Sequence, residues 1–405
     1  MKKIALAFSG GLDTSFCTKY LSEDKDYDVH TVIVNTGGFN KEELALIEKK
    51  AYEYGSSKHI TIDATQVYYN QCLKYLIFGN VLRNRNYPLS VSSERSFQAI
   101  DVIQYAKKEG ITAIAHGSTG AGNDQVRFES IAAILEPQME VVAPIRELAI
   151  SREKEIEYLK SKGLNYVAEK AKYSINKGLW GSSVGGEETL SSHLELPEEA
   201  FLDPLSKTGT EQISVEFKNG EPIKLNDTEY SNKVELIGAL EKLAAPYAIG
   251  RDIHVGDTII GIKGRVGFQA AAALIMIEAH YNLEKHVLSK WQQSWKEQLG
   301  NWYGMFVHEA KFLDPGMRDI EAFLESSQRY VSGKVNIRLR PYHYNITGVE
   351  SKHDLMNADF AKYGEENLHW DGNDVKGFTR IVSAEGSIFY NVNKEEAGKL
   401  DLENN

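Results

Sequence analysis

The sequence predicts an α/β fold, in which a doubly wound parallel sheet is followed by a second α+β domain and a C-terminal tail. Up to about residue 165, short apolar runs typical of strands alternate with helical patterns, the order expected for parallel strands joined by crossover helices. Two glycine-rich loops, at Ser9 and at Gly117, directly follow predicted strands. Because ligands of such sheets bind beyond the carboxyl ends of the strands, we expect both loops to share one crevice.

The first part of the chain contains five predicted strands with helices between them. The strands are Lys3–Phe8, Val29–Asn35, Lys58–Asp63, Ala113–His116 and Val141–Ala143. Helical patterns lie at Lys41–Tyr54 and Ser93–Glu109.

After Lys170 this alternation ends. Residues 171–210 are rich in Gly, Ser and Glu and predict a long, partly irregular connection. Asn219-Gly220 predicts a tight hairpin turn. The strands predicted here are Gln212–Phe217, Pro222–Leu225, Lys334–Arg340 and Tyr342–Gly348, and the helices are Asn232–Leu243, Gln269–Leu288 and Met317–Tyr330. We expect domains at 1–168 and 169–365, and an oligomerisation tail at 366–405.

Composition limits the classes of partner. The formal net charge is -11, and no cluster of Lys and Arg is present to neutralise nucleic-acid phosphates, so we expect no nucleic-acid partner. The longest apolar run, 270–277, is too short to cross a bilayer. Only Cys17 and Cys72 occur, which gives neither a disulfide framework nor a zinc quartet and fits a reducing cytoplasm.

The first glycine-rich loop predicts a phosphate site. It reads Ser9-Gly-Gly-Leu-Asp-Thr-Ser15 between a strand and a helix. Adjacent glycines let a ligand approach the backbone, and the N–H groups at the start of a helix attract anions. The loop lacks the Lys of a Walker A motif and the spacing of a dinucleotide fingerprint.

The second loop, His116 to Glu129, has the sequence HGSTGAGNDQVRFE. Carboxylate, amide and guanidinium side chains together can bind both the amine and the carboxylate of an amino acid. An alternative is a helix start capped by Asn123 or Asp124, with Arg127 in solvent.

Three motifs together resemble the argininosuccinate synthase family of PP-loop ATP pyrophosphatases: SGGLDTS, HGSTGAGNDQVRFE and Tyr173-Ser-Ile-Asn-Lys-Gly-Leu-Trp-Gly181. The order and spacing of the motifs correspond over most of the chain. The resemblance implies a HUP-like first domain and a homotetramer. It also implies an AMP-forming ligase of arginine biosynthesis that joins citrulline to aspartate, using ATP with Mg²⁺ and releasing AMP and pyrophosphate.

The resemblance assigns roles residue by residue. The implied nucleotide contacts are Ala7, Ser9, Gly10, Gly11, Leu12, Asp13, Thr14, Ser15, Val34 and Gly117. The implied amino-acid contacts are Tyr87, Ser92, Arg95, Thr119, Asn123, Asp124, Arg127, Ser174 and Ser183. The catalytic candidates are Asp13, Asp124 and Arg127.

The chain departs from the family pattern at several positions. Ala121 stands where the family has Lys, Gly185 and Gly256 where it has Glu, and Phe268 where it has Tyr. The change at Ala121 removes a positive charge near the nucleotide. Because Gly185, Gly256 and Phe268 remove polar or acidic groups from the implied citrulline end, we hypothesise that the substrate is an N-acylcitrulline, succinylated or acetylated. Lys177, if it points inward, would pair with an added carboxylate.

Two other functions stay open. One is an RNA-modifying PP-loop enzyme, which the acidic charge and the absence of paired cysteines argue against. The other is a degenerate homologue that binds ATP without ligation. Incubation with ATP and both amino acids distinguishes them, because only a ligase would form AMP and pyrophosphate.

Overall fold

The structure is a computed structural model of the 405-residue chain, and it describes residues 1–164, 173–357 and 369–394. The chain divides into two compact units, Met1–His353 and Asp354–Asn405. The domain boundaries expected at 168/169 and 365/366 lie outside the described residues.

The predicted parallel sheet is confirmed. Its strands are β1 (Lys2–Ala7), β2 (Tyr27–Asn35), β3 (Lys58–Asp63), β4 (Ala113–Ala115) and β5 (Glu140–Val142), in the order β3-β2-β1-β4-β5. All four neighbouring pairs are parallel. The order reverses between β1 and β4, so the loops that follow these two strands meet at the switch point of the sheet.

Helices cover both faces of this sheet because β1 alternates its buried side chains. Ile4 and Leu6 join a cluster on one face, whereas Ala5 joins a second cluster on the other face. The helices of this part are α1 (Leu12–Glu23), α2 (Lys41–Glu53), α3 (Thr65–Tyr68), α4 (Lys74–Phe78), α5 (Ser90–Lys108), α6 (Asp124–Leu135), α7 (Pro144–Leu148) and α8 (Arg152–Ser161).

A second, antiparallel sheet contains the strands β8 (Glu211–Lys218), β9 (Glu221–Leu225), β10 (Thr228–Glu229), β13 (Gly333–Arg340) and β14 (His343–Glu350), in the order β10-β9-β8-β13-β14. Asn219 and Gly220, between β8 and β9, have φ angles of 50° and 80°, as a two-residue hairpin turn requires, and the predicted hairpin is confirmed. The helices that accompany it are α9 (Lys233–Ala244), α10 (Ala271–Val287), α11 (Lys290–His308) and α12 (Pro315–Ser327).

The expectation of a long, partly irregular connection over 171–210 missed two strands. Strands β6 (Ser174–Gly178) and β7 (Gly181–Gly185) form a third sheet with β11 (Arg251–Asp257) and β12 (Lys263–Gln269), in the order β11-β12-β7-β6. Gly and Ser have low strand propensity, but β7 is paired on both sides and its first four residues are buried. Tertiary pairing therefore overrides local preference.

The second unit contains helices α13 (Gly372–Val382) and α14 (Ala384–Val392) in its described part. Their large apolar side chains are exposed within the chain, as Phe378 and Phe389 show, each at 66%. In the part of the chain that the structure describes, no helix has the length and apolar character needed to span a membrane.

Candidate active site

A cavity of about 880 Å³ lies at the carboxyl ends of β1, β2 and β4. Both glycine-rich loops line it, through Ser9, Gly11 and Thr14 of the first and Gly117 and Thr119 of the second. The crevice expected from the order of strands and loops is therefore present.

The first loop leaves its helix N-terminus without a side-chain cap. Gly11 is the N-cap of α1 and has no side chain to accept a bond from the N–H groups of the first turn. Gly10 has a φ of 73°, in the region that favours glycine. The Oγ atoms of Ser9 and Thr14 lie 3.3 Å apart at the surface of the loop, whereas the Ser15 Oγ is buried without a hydrogen-bond partner. The N–H groups of the first turn of α1, which no side chain caps, fit an anion such as a phosphate.

Asp13 contacts an acidic residue that the sequence reasoning missed. Glu155, on α8, is 2% exposed, and burial together with the Asp13 charge raises its pKa to about 8. Burial also raises the pKa of Asp13, while Arg152 acts to lower it. Arg152 is the first residue of α8 and lines the cavity, so it places a cation beside the phosphate loop. No sequence motif had indicated Arg152.

The second loop is held by contacts across the fold. The Asn123 Oδ1 accepts a hydrogen bond from the Ile259 N–H at 2.8 Å, and no side-chain cap is present at the start of α6. Arg127 is only 3% exposed. The alternative of a capped helix with a solvated Arg127 is therefore wrong.

Asp124 lies between two arginines. Its Oδ2 accepts from Arg95 Nε at 2.9 Å and its Oδ1 accepts from Arg127 Nη1 at 3.0 Å. Burial opposes ionisation, but the two guanidinium groups outweigh it and lower the pKa of Asp124. The three side chains form a charged network that is ionised at neutral pH and borders the cavity.

A smaller cavity of about 260 Å³ shares these three residues with the larger one. Its other walls include Tyr87, Ser92 and Ser183. The hydroxyl groups of Tyr87 and Ser92 lie 3.2 Å apart. An elongated ligand could therefore extend from the phosphate loop past Asp124 into the smaller cavity.

Two histidines in the smaller cavity were missed by the sequence reasoning. The Nε2 of His308, on α11, lies 3.0 Å from the Asp257 carbonyl oxygen, so Nε2 carries the proton. The Nδ1 of the same ring can therefore accept from Arg127 Nη2 at 3.5 Å. His254, on β11, stacks on Tyr87 with ring centroids 4.8 Å apart. Neither belongs to a motif, and only the fold brings them to the site.

The positions that depart from the family pattern have different environments. Gly256 lines the smaller cavity, but the space beside it is occupied, since a Cβ there would lie 2.6 Å from His254 Nε2. A Cβ at Gly185 would lie 4.0 Å from the Ser174 carbonyl oxygen, an ordinary contact distance. Phe268 is fully buried behind Tyr87, with ring centroids 5.3 Å apart, and Ala121 is exposed. Lys177 Nζ lies 3.3 Å from Glu43 Oε1, so a carboxylate of the chain already pairs with it.

The structure brings most of the predicted site residues to these two cavities. Among the described residues, Gly10 and Ser15 line neither. The larger cavity is lined by Ala7, Ser9, Gly11, Leu12, Asp13, Thr14, Val34, Gly117, Thr119 and Ser174, the smaller by Tyr87, Ser92 and Ser183, and both by Arg95, Asn123, Asp124 and Arg127.

Comparison with known proteins agrees with this geometry. Residues 3–165 match the family model described as arginosuccinate synthase N-terminal HUP domain, and residues 173–389 match the arginosuccinate synthase C-terminal domain. The chain is 34% identical over 393 residues to the argininosuccinate synthase of Methanocaldococcus jannaschii, covering 96% of this chain and 98% of the relative. It is 36% identical over 402 residues to that of Xanthomonas campestris, covering 97% and 99%. The chain belongs to the argininosuccinate synthase family.

Proposed function

We propose that this chain is an AMP-forming carbon–nitrogen ligase of arginine biosynthesis that joins the amine of aspartate to the ureido carbon of a citrulline-type amino acid. The observation that carries this proposal is the position of the Arg95–Asp124–Arg127 network. It lies between the phosphate loop and the smaller cavity, so a nucleotide and an amino acid can meet there.

In this proposal ATP occupies the larger cavity. The N–H groups of Gly11 and of the first turn of α1 bind the pyrophosphate part, together with the Ser9 and Thr14 hydroxyls. Val34, a buried residue of β2 that lines the cavity, lies beside the base. Gly117 lets the second loop approach the nucleotide closely.

The reaction then has two balanced steps. The ureido oxygen attacks the α-phosphorus, the bond to the β-phosphate oxygen breaks, and pyrophosphate leaves. The aspartate amine next attacks the ureido carbon, the carbon–oxygen bond breaks, AMP leaves, and the amine releases a proton. The protein contributes orientation and charge stabilisation, and the ionised Asp124 holds the Arg95 and Arg127 guanidinium groups in place during both steps.

Mg²⁺ is proposed to arrive with ATP. Among the described residues, no group of three or more His, Cys, Asp and Glu side chains is arranged to hold a metal ion. The ion would therefore be bound mainly by phosphate oxygens, where it neutralises charge on the departing pyrophosphate.

The proposal is tested by isotope transfer. The protein is incubated with ATP, Mg²⁺, aspartate and a citrulline that carries ¹⁸O in its ureido group, and the products are identified by mass spectrometry. We expect AMP that carries one ¹⁸O atom, pyrophosphate, and an argininosuccinate-type product. Formation of ADP and orthophosphate, or of AMP without ¹⁸O, would contradict the mechanism.

The same assay separates the competing functions. A degenerate ATP-binding homologue would bind nucleotide without forming AMP. An RNA-modifying enzyme would form AMP only when RNA is added.

We further propose a cytoplasmic homotetramer. Exposed apolar side chains on α13 and α14, and the exposed Trp291 and Trp295 on α11, support burial against other subunits. Both cysteines are buried and free, which fits a reducing compartment. Light scattering of the full chain gives the subunit number, and a monomeric mass would contradict the proposal.

A further inference from the structure

We propose that the substrate nitrogen bound beside His254 is an uncharged amide N–H, so that the ureido amino acid used by this enzyme is N-acylated. The inference rests on the proposed ligase function and specifies which substrate the smaller cavity accepts. It makes His254 the residue that determines this specificity.

His254 is fixed in the wall of the smaller cavity. Its ring stacks on Tyr87 at 4.8 Å, and its Nδ1 lies 3.4 Å from Asn86 Oδ1. The Asn86 amide nitrogen donates to the Asp252 carboxylate at 2.8 Å and to the Ile253 carbonyl at 3.2 Å, which leaves Asn86 Oδ1 as an acceptor. His254 is 6% exposed and lines the cavity.

These contacts define the hydrogen-bonding role of the free nitrogen. Because Nδ1 faces an acceptor it carries the proton, and Nε2 is left with a lone pair. Burial and the nearby Arg83 lower the pKa of His254 to about 4, so the ring is neutral at physiological pH. Among the described residues, no hydrogen bond occupies Nε2, which is therefore able to accept an N–H from a ligand.

The imidazole of His254 occupies the space beside Gly256. A Cβ at Gly256 would lie 2.6 Å from His254 Nε2 and 3.4 Å from the Asn84 amide nitrogen. A longer side chain at position 256 therefore cannot reach the cavity while His254 holds its rotamer. The wall presents a neutral acceptor at this point and no carboxylate.

The charged residues around the smaller cavity disfavour the binding of a ligand cation there. Its described lining residues include Arg95, Arg127 and Arg265 and two acids, Asp124 and Asp257. Asp124 is bonded to both Arg95 and Arg127, and Asp257 pairs with Lys263 at 2.6 Å.

Among the residues that the structure describes, no carboxylate forms an ion pair with Arg265. It donates to the carbonyl oxygens of Glu188 and Leu194, at 3.2 and 2.9 Å. Arg83 lies just behind His254, where its Nη2 donates to the Asp257 carbonyl oxygen at 3.3 Å. Among the described residues, an ammonium group in the smaller cavity would therefore meet two lining carboxylates, each already paired with another cation, and desolvating it there would be unfavourable.

An amide avoids this penalty and fills the remaining space. Its N–H can donate to His254 Nε2, and its acyl group can lie along the wall at Gly264, where an added Cβ would meet nothing closer than 3.9 Å. The excess of guanidinium groups suits an acyl group that itself carries a carboxylate. Acetyl and succinyl substrates distinguish a neutral from an acidic acyl group.

The test compares three substrates with the full-length wild-type chain: citrulline, N-acetylcitrulline and N-succinylcitrulline, each with ATP, Mg²⁺ and aspartate. We expect kcat/KM for at least one acylated substrate to exceed that for citrulline tenfold or more. Equal or higher kcat/KM for citrulline would overturn this inference alone. Absence of AMP formation with all three would overturn the proposed function as well.

Variants then test the role of His254. In His254→Leu the acceptor is lost, and we expect kcat/KM for the acylated substrate to fall at least tenfold, mainly through KM. In His254→Gln an amide oxygen remains, and we expect at least partial recovery. The matched control is His59→Leu, which removes another buried histidine from β3, outside both cavities, and should leave the substrate ratio unchanged. An unchanged ratio in His254→Leu would overturn the assignment.

Discussion

Gly117 lies directly against Asp13, so the two glycine-rich loops touch at the switch point of the sheet. A Cβ added to Gly117 would lie 3.3 Å from the Asp13 Cβ and 3.2 Å from the Thr14 Cγ2. The contact spans more than a hundred residues of sequence, and it sets the distance between the phosphate loop and the amino-acid loop.

Gly117→Ala should therefore weaken nucleotide binding. The new methyl group would displace Asp13 and Thr14 by a few tenths of an ångström, and we expect KM for ATP to rise about tenfold, equivalent to about 1.4 kcal/mol. Initial-rate kinetics check this, with thermal unfolding to show that the fold persists. An unchanged KM would mean that the loops adjust without loss.

Asp124→Asn should disable the site without unfolding it. In the wild-type chain, Arg95 and Arg127 donate to the Asp124 carboxylate at 2.9 and 3.0 Å. In the variant, the N–H groups of the amide would face Arg95 or Arg127, so that donors would face donors. We expect kcat/KM for aspartate to fall about 100-fold, or roughly 2.7 kcal/mol. The matched control is Glu136→Gln at the end of the same helix, which breaks only the ion pair with the exposed Lys107 and should leave activity unchanged. Equal effects of the two variants would refute a special role for Asp124.

Glu94 should make stability depend on pH. It is 1% exposed, and burial raises its pKa to about 8, although Arg95 and the Thr36 hydroxyl act in the opposite direction. Because the pKa is higher in the folded state than the usual value of 4.5, the folded state binds more protons between these values. The free energy of unfolding should therefore fall as the pH rises from 4.5 to about 8.

Glu94→Gln removes this titration. We expect the free energy of unfolding of the variant minus that of the wild type to be more positive at pH 8 than at pH 5. Urea unfolding at several pH values measures this difference. Some slope should persist, because Glu155 titrates in the same direction. A wild-type-to-variant difference that does not change with pH would contradict the assignment of a raised pKa to Glu94.

Gly238→Ala should stabilise the protein. Gly238 lies within α9, and a Cβ there would meet no atom within 4 Å. Alanine loses less backbone entropy on folding than glycine, so we expect a gain of about 0.5–1 kcal/mol in the free energy of unfolding with unchanged activity. Denaturant unfolding checks this, and a loss of stability would indicate a contact that the geometry does not show.

The first domain could be predicted from sequence because its signals are local. β1 has a clear apolar run, the SGGLDTS loop follows it, and helix α2 begins with the capping residue Asn40. The site residues on the two loops followed from the same motifs. Local pattern, loop chemistry and strand order agree in this part of the chain.

Strands β6 and β7 could not be predicted in the same way. Their Gly- and Ser-rich sequences form strands only because β12 pairs with β7 along residues distant in sequence. His254 could not be predicted from the sequence for a related reason. It occupies an ordinary strand position, and its role depends on Tyr87, which lies 4.8 Å away in space.

The imidazole that fills the space at Gly256 also couples these two positions. A side chain at position 256 would enter the volume that the His254 ring occupies, whereas replacing His254 would clear it. An engineered exchange at position 256 therefore has to be combined with a shift or a replacement of His254.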